Sequence, residues 1–94
     1  MPNFNQLPEA KQADIVGRLQ RIEGQARGIQ KMIADGRDCT DILNQVAAVK
    51  AAVNALSGEM LETFALYCVR HPDQFPMPED AIAQAVQTLV RAGR

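Results

Sequence analysis

Apolar residues recur every three or four positions over two long stretches of the chain, a spacing that places them on one face of an α-helix. The first stretch predicts a helix over residues 8–35, with Pro8 in its first turn and Gly36 as its stop signal. Because the apolar positions alternate by four and three residues, we expect this helix to pack lengthwise against another, as in a coiled coil. These positions are Ile15, Leu19, Ile22, Ala26, Ile29 and Ile33.

The second stretch predicts a longer helix that begins near Cys39 and contains no internal proline. Its end is marked by His71-Pro72, because the residue before a proline avoids the α-helical region. A short third helix is predicted from about Pro78, with its apolar face formed by Ile82, Ala85, Val86, Leu89 and Val90. No stretch shows the alternating pattern of a β-strand.

The length and composition predict one small all-α domain over residues 1–94, with segments 1–8 and 92–94 frayed. The chain is 47% hydrophobic but has only three Phe, one Tyr and no Trp, so its core must be aliphatic. A short third helix can cover only part of a long helical hairpin. We therefore expect a three-helix protomer that pairs into a four-helix-bundle dimer.

Several classes of function lack any support in the sequence. The formal net charge of −1 gives no overall attraction to nucleic acid, and nothing resembles a helix-turn-helix, a zinc finger or an RNA-binding sheet. There is no Ser-His-Asp set, phosphate loop or evident carboxylate pair, so the chain is not expected to be an enzyme. The absence of a signal peptide and of a membrane-spanning apolar run predicts a cytoplasmic protein with no membrane partner.

The two cysteines stand at opposite ends of the second predicted helix. They are 29 residues apart, which corresponds to roughly 43 Å along an unbroken helix, whereas a disulfide needs Cα atoms within about 7 Å. They cannot bond within one chain, but two antiparallel copies could bring Cys39 of one beside Cys68 of the other. A helix N-terminus favours the thiolate of Cys39, and Arg37 acts in the same direction. The alternatives are a small apolar filler at Cys39 and an ordinary core cysteine at Cys68.

Two further groups of residues have a functional and an ordinary interpretation. Cys68 and His71 are three residues apart, and a thiolate and an imidazole suit Cu(I) or Zn, although a water-facing histidine at the helix end is the simpler interpretation. Arg18, Arg21 and Gln25 share one flank of the first helix, with Arg27 and Lys31 on the far side. Composition alone favours an ordinary solvated surface over phosphate contacts for these side chains.

The block RxxRIEGQxRGIxKMI, which starts at Arg18, and the block CxDILxQ, which starts at Cys39, together strongly resemble the CsoR/RcnR family of bacterial transcriptional repressors. The likeness extends over about residues 11–91. It implies a homodimer built as an antiparallel four-helix bundle, paired again as a dimer of dimers. It also implies operator DNA binding without a helix-turn-helix, and release by an inducer. The DNA contacts implied are Arg18, Arg21, Gln25, Lys31 and Lys50.

The resemblance further implies that the inducer acts at the dimer interface. Cys39 matches the cysteine shared by nearly all members, but Phe64 stands where copper sensors have a histidine, four residues before Cys68. Asp38 and Gln84 replace the outer tyrosine and glutamate of those sensors. Nickel and cobalt sensors use histidines at the positions of Leu7, Phe64 and Cys68. Two cysteines without an intervening histidine resemble the persulfide-sensing CstR-like branch, in which thiols of opposite chains become di- or polysulfide bridges.

The leading hypothesis is therefore a repressor that needs no resident cofactor and whose inducer is a reactive sulfur species. Cys39 would be the attacking thiolate and Cys68 of the partner the resolving thiol. The main alternative is a metal-responsive repressor that binds Cu(I) or Zn through Cys39, Cys68 and His71. A formaldehyde sensor that uses Pro2 and Cys39, and a helical dimerisation adaptor with no DNA role, are the remaining alternatives.

Overall fold

The computed structural model describes residues 3–73, 83, 86–88 and 90–91 of the 94-residue chain. A short 3-10 helix, Phe4–Gln6, precedes two long helices, α1 (Glu9–Ala34) and α2 (Cys39–Arg70). Residues 83, 86–88 and 90–91 are helical as well, in agreement with the predicted third helix, whereas its start near Pro78 and the segment 92–94 lie outside the described residues. Among the described residues there is no strand, so the all-α prediction is confirmed.

Local signals in the sequence determine where the two long helices end and begin. Gly36 adopts a φ of 70°, a conformation open to glycine without steric cost, and it stops α1 two residues after Ala34. The carboxylate of Asp38 accepts a hydrogen bond from the backbone N–H of Thr40 at 3.0 Å and so caps the start of α2. α2 ends at the predicted place, directly before His71-Pro72.

The two long helices form an antiparallel hairpin, since the start of α1 lies against the second half of α2. The Lys11 ammonium is 3.7 Å from the Glu59 carboxylate across this contact. The best-buried side chain is Ile15, which is 1% exposed, and Leu56 and Thr63 of α2 are buried too. The hydroxyl of Thr63 donates to the Glu59 carbonyl oxygen at 2.8 Å, so its burial leaves no unsatisfied donor.

A second apolar surface stays exposed on the protomer. Although the sequence places Ile15, Leu19 and Ile33 on one seam, the structure buries Ile15 and leaves Leu19 48% and Ile33 61% exposed. α2 covers only one side of α1, so only part of the apolar stripe of α1 can face it. The exposed apolar side chains of the two helices are Val16, Leu19, Ile33, Leu43, Val46, Val53, Leu66 and Val69. Such an extended apolar surface is typical of a subunit interface.

The prediction that residues 1–8 fray stays a prediction. In the described part of this segment, Leu7 is 3% exposed and the ring of Phe4 packs edge-on against Phe64 of α2. These contacts remove apolar surface from water and so favour attachment of the segment to α2. Within the described residues, neither long helix carries an apolar stretch sufficient to cross a membrane.

Candidate sensing site and DNA-contact groove

The two thiols occupy opposite ends of α2 and differ in accessibility. Cys39 is the first residue of α2 and is exposed, whereas Cys68 lies near its end and is 4% exposed. α2 is an uninterrupted helix between them, so a separation of 29 residues corresponds to roughly 43 Å. The predicted exclusion of an intrachain disulfide therefore holds.

The surroundings of Cys39 are polar and lie at the first turn of α2. Asp38 caps the helix, and the Arg37 guanidinium lies 3.3 Å from the Asp41 carboxylate. The positive charge of Arg37 is thus shared with Asp41, and Cys39 lies at the N-terminal end of α2 beside this ion pair.

The surroundings of Cys68 are aromatic. Phe64 precedes it by one helical turn and has its ring centroid 6.4 Å from that of Phe4. Tyr67 stacks on the imidazole of His71 with centroids 4.2 Å apart. Phe64 has no donor atom for a metal, so the position one helical turn before Cys68 adds no ligand to its thiol.

His71 is half-buried and ends α2 in a non-helical conformation, with φ −130° and ψ 56°. Its Nδ1 atom is 2.9 Å from the Tyr67 carbonyl oxygen, so Nδ1 donates and Nε2 is left as the ring's acceptor. The Nδ1 contact and the half-burial do not exclude a histidine that faces water with its Nε2 edge, so this interpretation stays open. Among the described residues of one protomer, no three His, Cys, Asp or Glu side chains are placed to hold a metal. A site built from Cys68 and His71 needs a ligand from the partner.

A pocket of about 120 Å³ opens beside His71, where the start of α1 meets the end of α2. Its walls include Pro8 and Lys11 of the α1 end and Thr63, Tyr67 and Arg70 of α2. Sequence reasoning missed Lys11 and Arg70 as neighbours of the sensing region. No periodicity or motif pairs them, because they come together only when the hairpin closes.

A groove of about 180 Å³ between the two helices gathers three of the five predicted DNA-contacting residues. Arg18, Arg21 and Gln25 line it from α1, and Ala52 and Ala55 line it from α2, where their small side chains leave the space open. Lys31 and Lys50 are exposed but are not among its lining residues.

Ion pairs occur along both faces of α1. The Nε atom of Arg18 is 3.3 Å from the Asp14 carboxylate, at the edge of the groove. On the far side, Arg27 is 2.8 Å from Glu23 and both side chains are largely exposed. What separates the two faces is that Arg18 and Arg21 line the groove, an arrangement suited to successive phosphates.

The fold and these sites define a class of small helical-hairpin proteins that carry two widely separated thiols and an arginine-lined groove, and that expose an apolar face. Residues 11–92 match the sequence model of a family described as metal-sensitive transcriptional repressor. The chain belongs to this family. The resemblance to the CsoR/RcnR repressors is thereby confirmed, and so is the expectation that the protein is not an enzyme.

Three relatives illustrate the match. The copper-sensing transcriptional repressor CsoR of Bacillus subtilis (strain 168) is 40% identical over 86 residues, which cover 92% of this chain and 85% of the relative. The crystal structure of the copper-sensing repressor CsoR with Cu(I) from Geobacillus thermodenitrificans NG80-2 superposes with a TM-score of 0.68 at 35% identity, covering 98% of this chain and 88% of that one. The nickel-responsive transcriptional regulator InrS gives a TM-score of 0.60 at 32% identity, with 85% of each chain covered.

These relatives are sensors of metals by name, so they support a metal-responsive repressor more directly than a sulfur-responsive one. The assignment to the persulfide-sensing branch stays a prediction. Pro2, on which the formaldehyde alternative depends, and Gln84 both lie outside the described residues. A dimerisation adaptor without a role in transcription finds no support in a family of repressors.

Proposed function

We propose that this protein represses transcription by binding operator DNA as a homo-oligomer, and that it is released when an inducer joins Cys39 of one protomer to Cys68 of its partner. The observation that carries this proposal is the uninterrupted α2 with a thiol at each end. At each end of an antiparallel pair of α2 helices, the exposed thiol of one protomer would lie beside the buried thiol of the other. An inducer that needs two thiols would then act only on the assembled protein.

The exposed apolar face supports this antiparallel assembly. Val46 and Val53 of α2 are two turns apart and both are more than 40% exposed in the protomer. A second hairpin that covers this face would remove apolar surface from water, which stabilises an oligomer by about 25 cal/mol per Å². The same contact would complete the four-helix bundle. A dimer, and its pairing into a dimer of dimers, is the assembly that we propose.

The arginine-lined groove supports DNA as the partner. The chain has a formal net charge of −1, so attraction to phosphates must come from a local concentration of positive charge. Arg21, and Arg18 once a phosphate displaces its partner Asp14, would provide it beside the groove, with Gln25 as a neutral donor. Lys31 and Lys50 would contact DNA outside the groove, on surfaces that the assembled protein brings to the same duplex.

The inducer that the comparisons support best is Cu(I). Thiolates are soft ligands that select this ion, and two of them would come from Cys39 and Cys68 of opposite protomers. The Nε2 atom of His71, which the hydrogen bond at Nδ1 leaves as an acceptor, is the third candidate ligand. These donors fit Cu(I) better than Ni(II), because only one imidazole is available. Zn would use the same residues.

A reactive sulfur species is the second candidate, and Phe64 favours it. Because Phe64 offers no ligand atom and its ring is packed against Phe4, no histidine stands one helical turn before Cys68. The Cys39 thiolate would attack a polysulfide, take one sulfur as a persulfide and release the shortened polysulfide. The Cys68 thiolate of the partner would then attack the inner sulfur and expel hydrosulfide, leaving an interchain disulfide.

Operator release separates the two candidates. The protein is bound to DNA from upstream of its own gene, and gel shifts are measured after addition of buffered Cu(I) or of sodium tetrasulfide. If Cu(I) is the inducer, it releases the wild type, whereas His71→Phe needs a higher concentration and Phe64→His a lower one. If sulfur is the inducer, tetrasulfide alone releases the DNA, and non-reducing mass spectrometry finds a cross-linked dimer that Cys39→Ala lacks. If the untreated protein does not bind this DNA specifically, the proposed repressor function is refuted.

A further inference from the structure

The N-terminal residues 3–7, here called the N-terminal cover, are folded against the helix that carries the buried thiol. Phe4 meets Phe64 of α2 with ring centroids 6.4 Å apart and ring planes at 61°, an edge-to-face arrangement that aromatic pairs prefer. Leu7 at the other end of the cover is buried. The cover therefore contacts the body of the protein through both of its large apolar side chains.

A single polar side chain of α1 holds the cover in place. The side-chain nitrogen Nε2 of Gln12 donates to the backbone carbonyl oxygen of Leu7 at 2.6 Å and to that of Asn5 at 3.3 Å. Within the cover, the backbone N–H of Asn3 donates to the side-chain oxygen of Gln6 at 2.6 Å. These bonds satisfy backbone groups that neither long helix can satisfy, and they tie the conformation of the cover to α1.

The position of the Phe4–Phe64 contact places the cover beside Cys68. Residues four apart on a helix lie on one face with Cβ atoms about 5–6 Å apart, so Phe64 and Cys68 share a face of α2. The Cys68 side chain is nearly inaccessible in the protomer, whereas Cys39 is exposed. An inducer therefore meets two unequal thiols, one open and one shielded.

We propose that the N-terminal cover limits access to Cys68, and that the contact between Phe4 and Phe64 holds the cover closed. With the cover closed, the aromatic pair narrows the approach to the thiol. With the cover open, an inducer reaches the Cys68 thiol more readily. The inference rests on the proposed function for the role of Cys68 as a sensing thiol.

The test is the rate at which each thiol of the intact protein is alkylated by iodoacetamide, resolved by mass spectrometry of the two cysteine-containing peptides. Phe4→Ala removes the aromatic contact, and Gln12→Met removes both hydrogen bonds at nearly constant size. We expect each variant to accelerate alkylation of Cys68 by about tenfold. The reason is that the aromatic pair and its burial change the equilibrium constant between the closed and the open cover by about tenfold. Asn5→Ala, which keeps the backbone carbonyl and the aromatic contact, is the matched control and should leave the rate within twofold.

The free energy of unfolding in urea serves as the reference, because in the proposed dimer Cys39 of the partner lies beside Cys68 and its alkylation can change as well. The inference is overturned if Cys68 reacts at the wild-type rate in both variants, or if it accelerates only in proportion to a loss of global stability, which would indicate general loosening. If Phe4→Ala does not fold, Gln12→Met decides the question. Gel shifts with operator DNA keep the two proposals apart: an unchanged Cys68 rate with intact DNA binding refutes the cover alone, whereas absent DNA binding in the wild type refutes the repressor.

Discussion

The antiparallel arrangement of the thiols can be tested by combining two variants that are each unable to form a bridge. Cys39→Ala retains only Cys68, and Cys68→Ala retains only Cys39. In an antiparallel dimer with twofold symmetry, the same cysteine of the two protomers lies at opposite ends of the paired helices. Their separation is close to the length of α2 between the two positions, roughly 43 Å. Neither variant alone should form a cross-linked dimer.

A mixture of the two variants behaves differently. After unfolding and refolding together, random association produces about half heterodimers, and each of these has one Cys39 facing one Cys68. Oxidation with diamide should therefore cross-link up to about half of the mixed protein, whereas the wild type approaches completion. The products are separated by non-reducing electrophoresis, and mass spectrometry of the linked peptides identifies the two cysteines.

The opposite arrangement gives a clearly different result. In a parallel dimer, the same cysteine of both protomers would be adjacent. Each single variant would then cross-link by itself, and the mixture would not show a larger cross-linked fraction. Reduced protein and protein alkylated before oxidation are the controls. Cross-linking of Cys39→Ala to the wild-type extent would refute the antiparallel geometry, and with it the sensing site that we propose.

Three further predictions concern stability, assembly and DNA binding. Ile15→Ala should lower the free energy of unfolding in urea by about 2–5 kcal/mol, because the side chain is almost fully buried. Gln20→Ala, at an exposed position, is the control and should change it by less than about 0.5 kcal/mol. Equal effects of the two substitutions would contradict the packing. Val46→Glu should raise the dimer dissociation constant in sedimentation by at least about tenfold, since a charge would enter an apolar interface; an unaltered dimer would place the interface elsewhere. Arg18→Ala should reduce the slope of log affinity for operator DNA against log salt by about one, and Arg27→Ala on the far side should leave it unchanged if the groove is the contact surface.

The bounds of the two long helices are predictable from the sequence, because the signals that start and stop a helix act between residues that are close along the chain. Apolar spacing, Gly36 and the His71-Pro72 pair act within a few residues, and the observed α1 and α2 begin and end within a residue or two of the predicted positions. The distance between the thiols is also a sequence property, since helix rise is constant. Family membership follows from blocks of sequence that need no coordinates.

The contacts of the N-terminal cover lie beyond the reach of local reasoning. A polar segment of a few residues lacks any periodic pattern, so fraying is the natural prediction. Its contacts with Phe64 and Gln12 form only after the hairpin brings these residues to Phe4 and Leu7. The candidate DNA contacts are a similar case, because a helical wheel groups Arg18, Arg21 and Gln25 but cannot show that Ala52 and Ala55 of α2 leave a groove beside them.

The sequence by itself determined the all-helical architecture, the limits of the two long helices and the impossibility of an intrachain bond between Cys39 and Cys68. Each of these follows from interactions between residues that are close along the chain or from the fixed geometry of a helix. Only the tertiary structure decided which apolar residues face inward, since Ile15 and Ile33 carry the same periodicity and differ solely in the neighbour that they meet. It likewise decided that Cys68 is shielded and Cys39 open, because burial depends on contacts between segments that lie far apart in the chain.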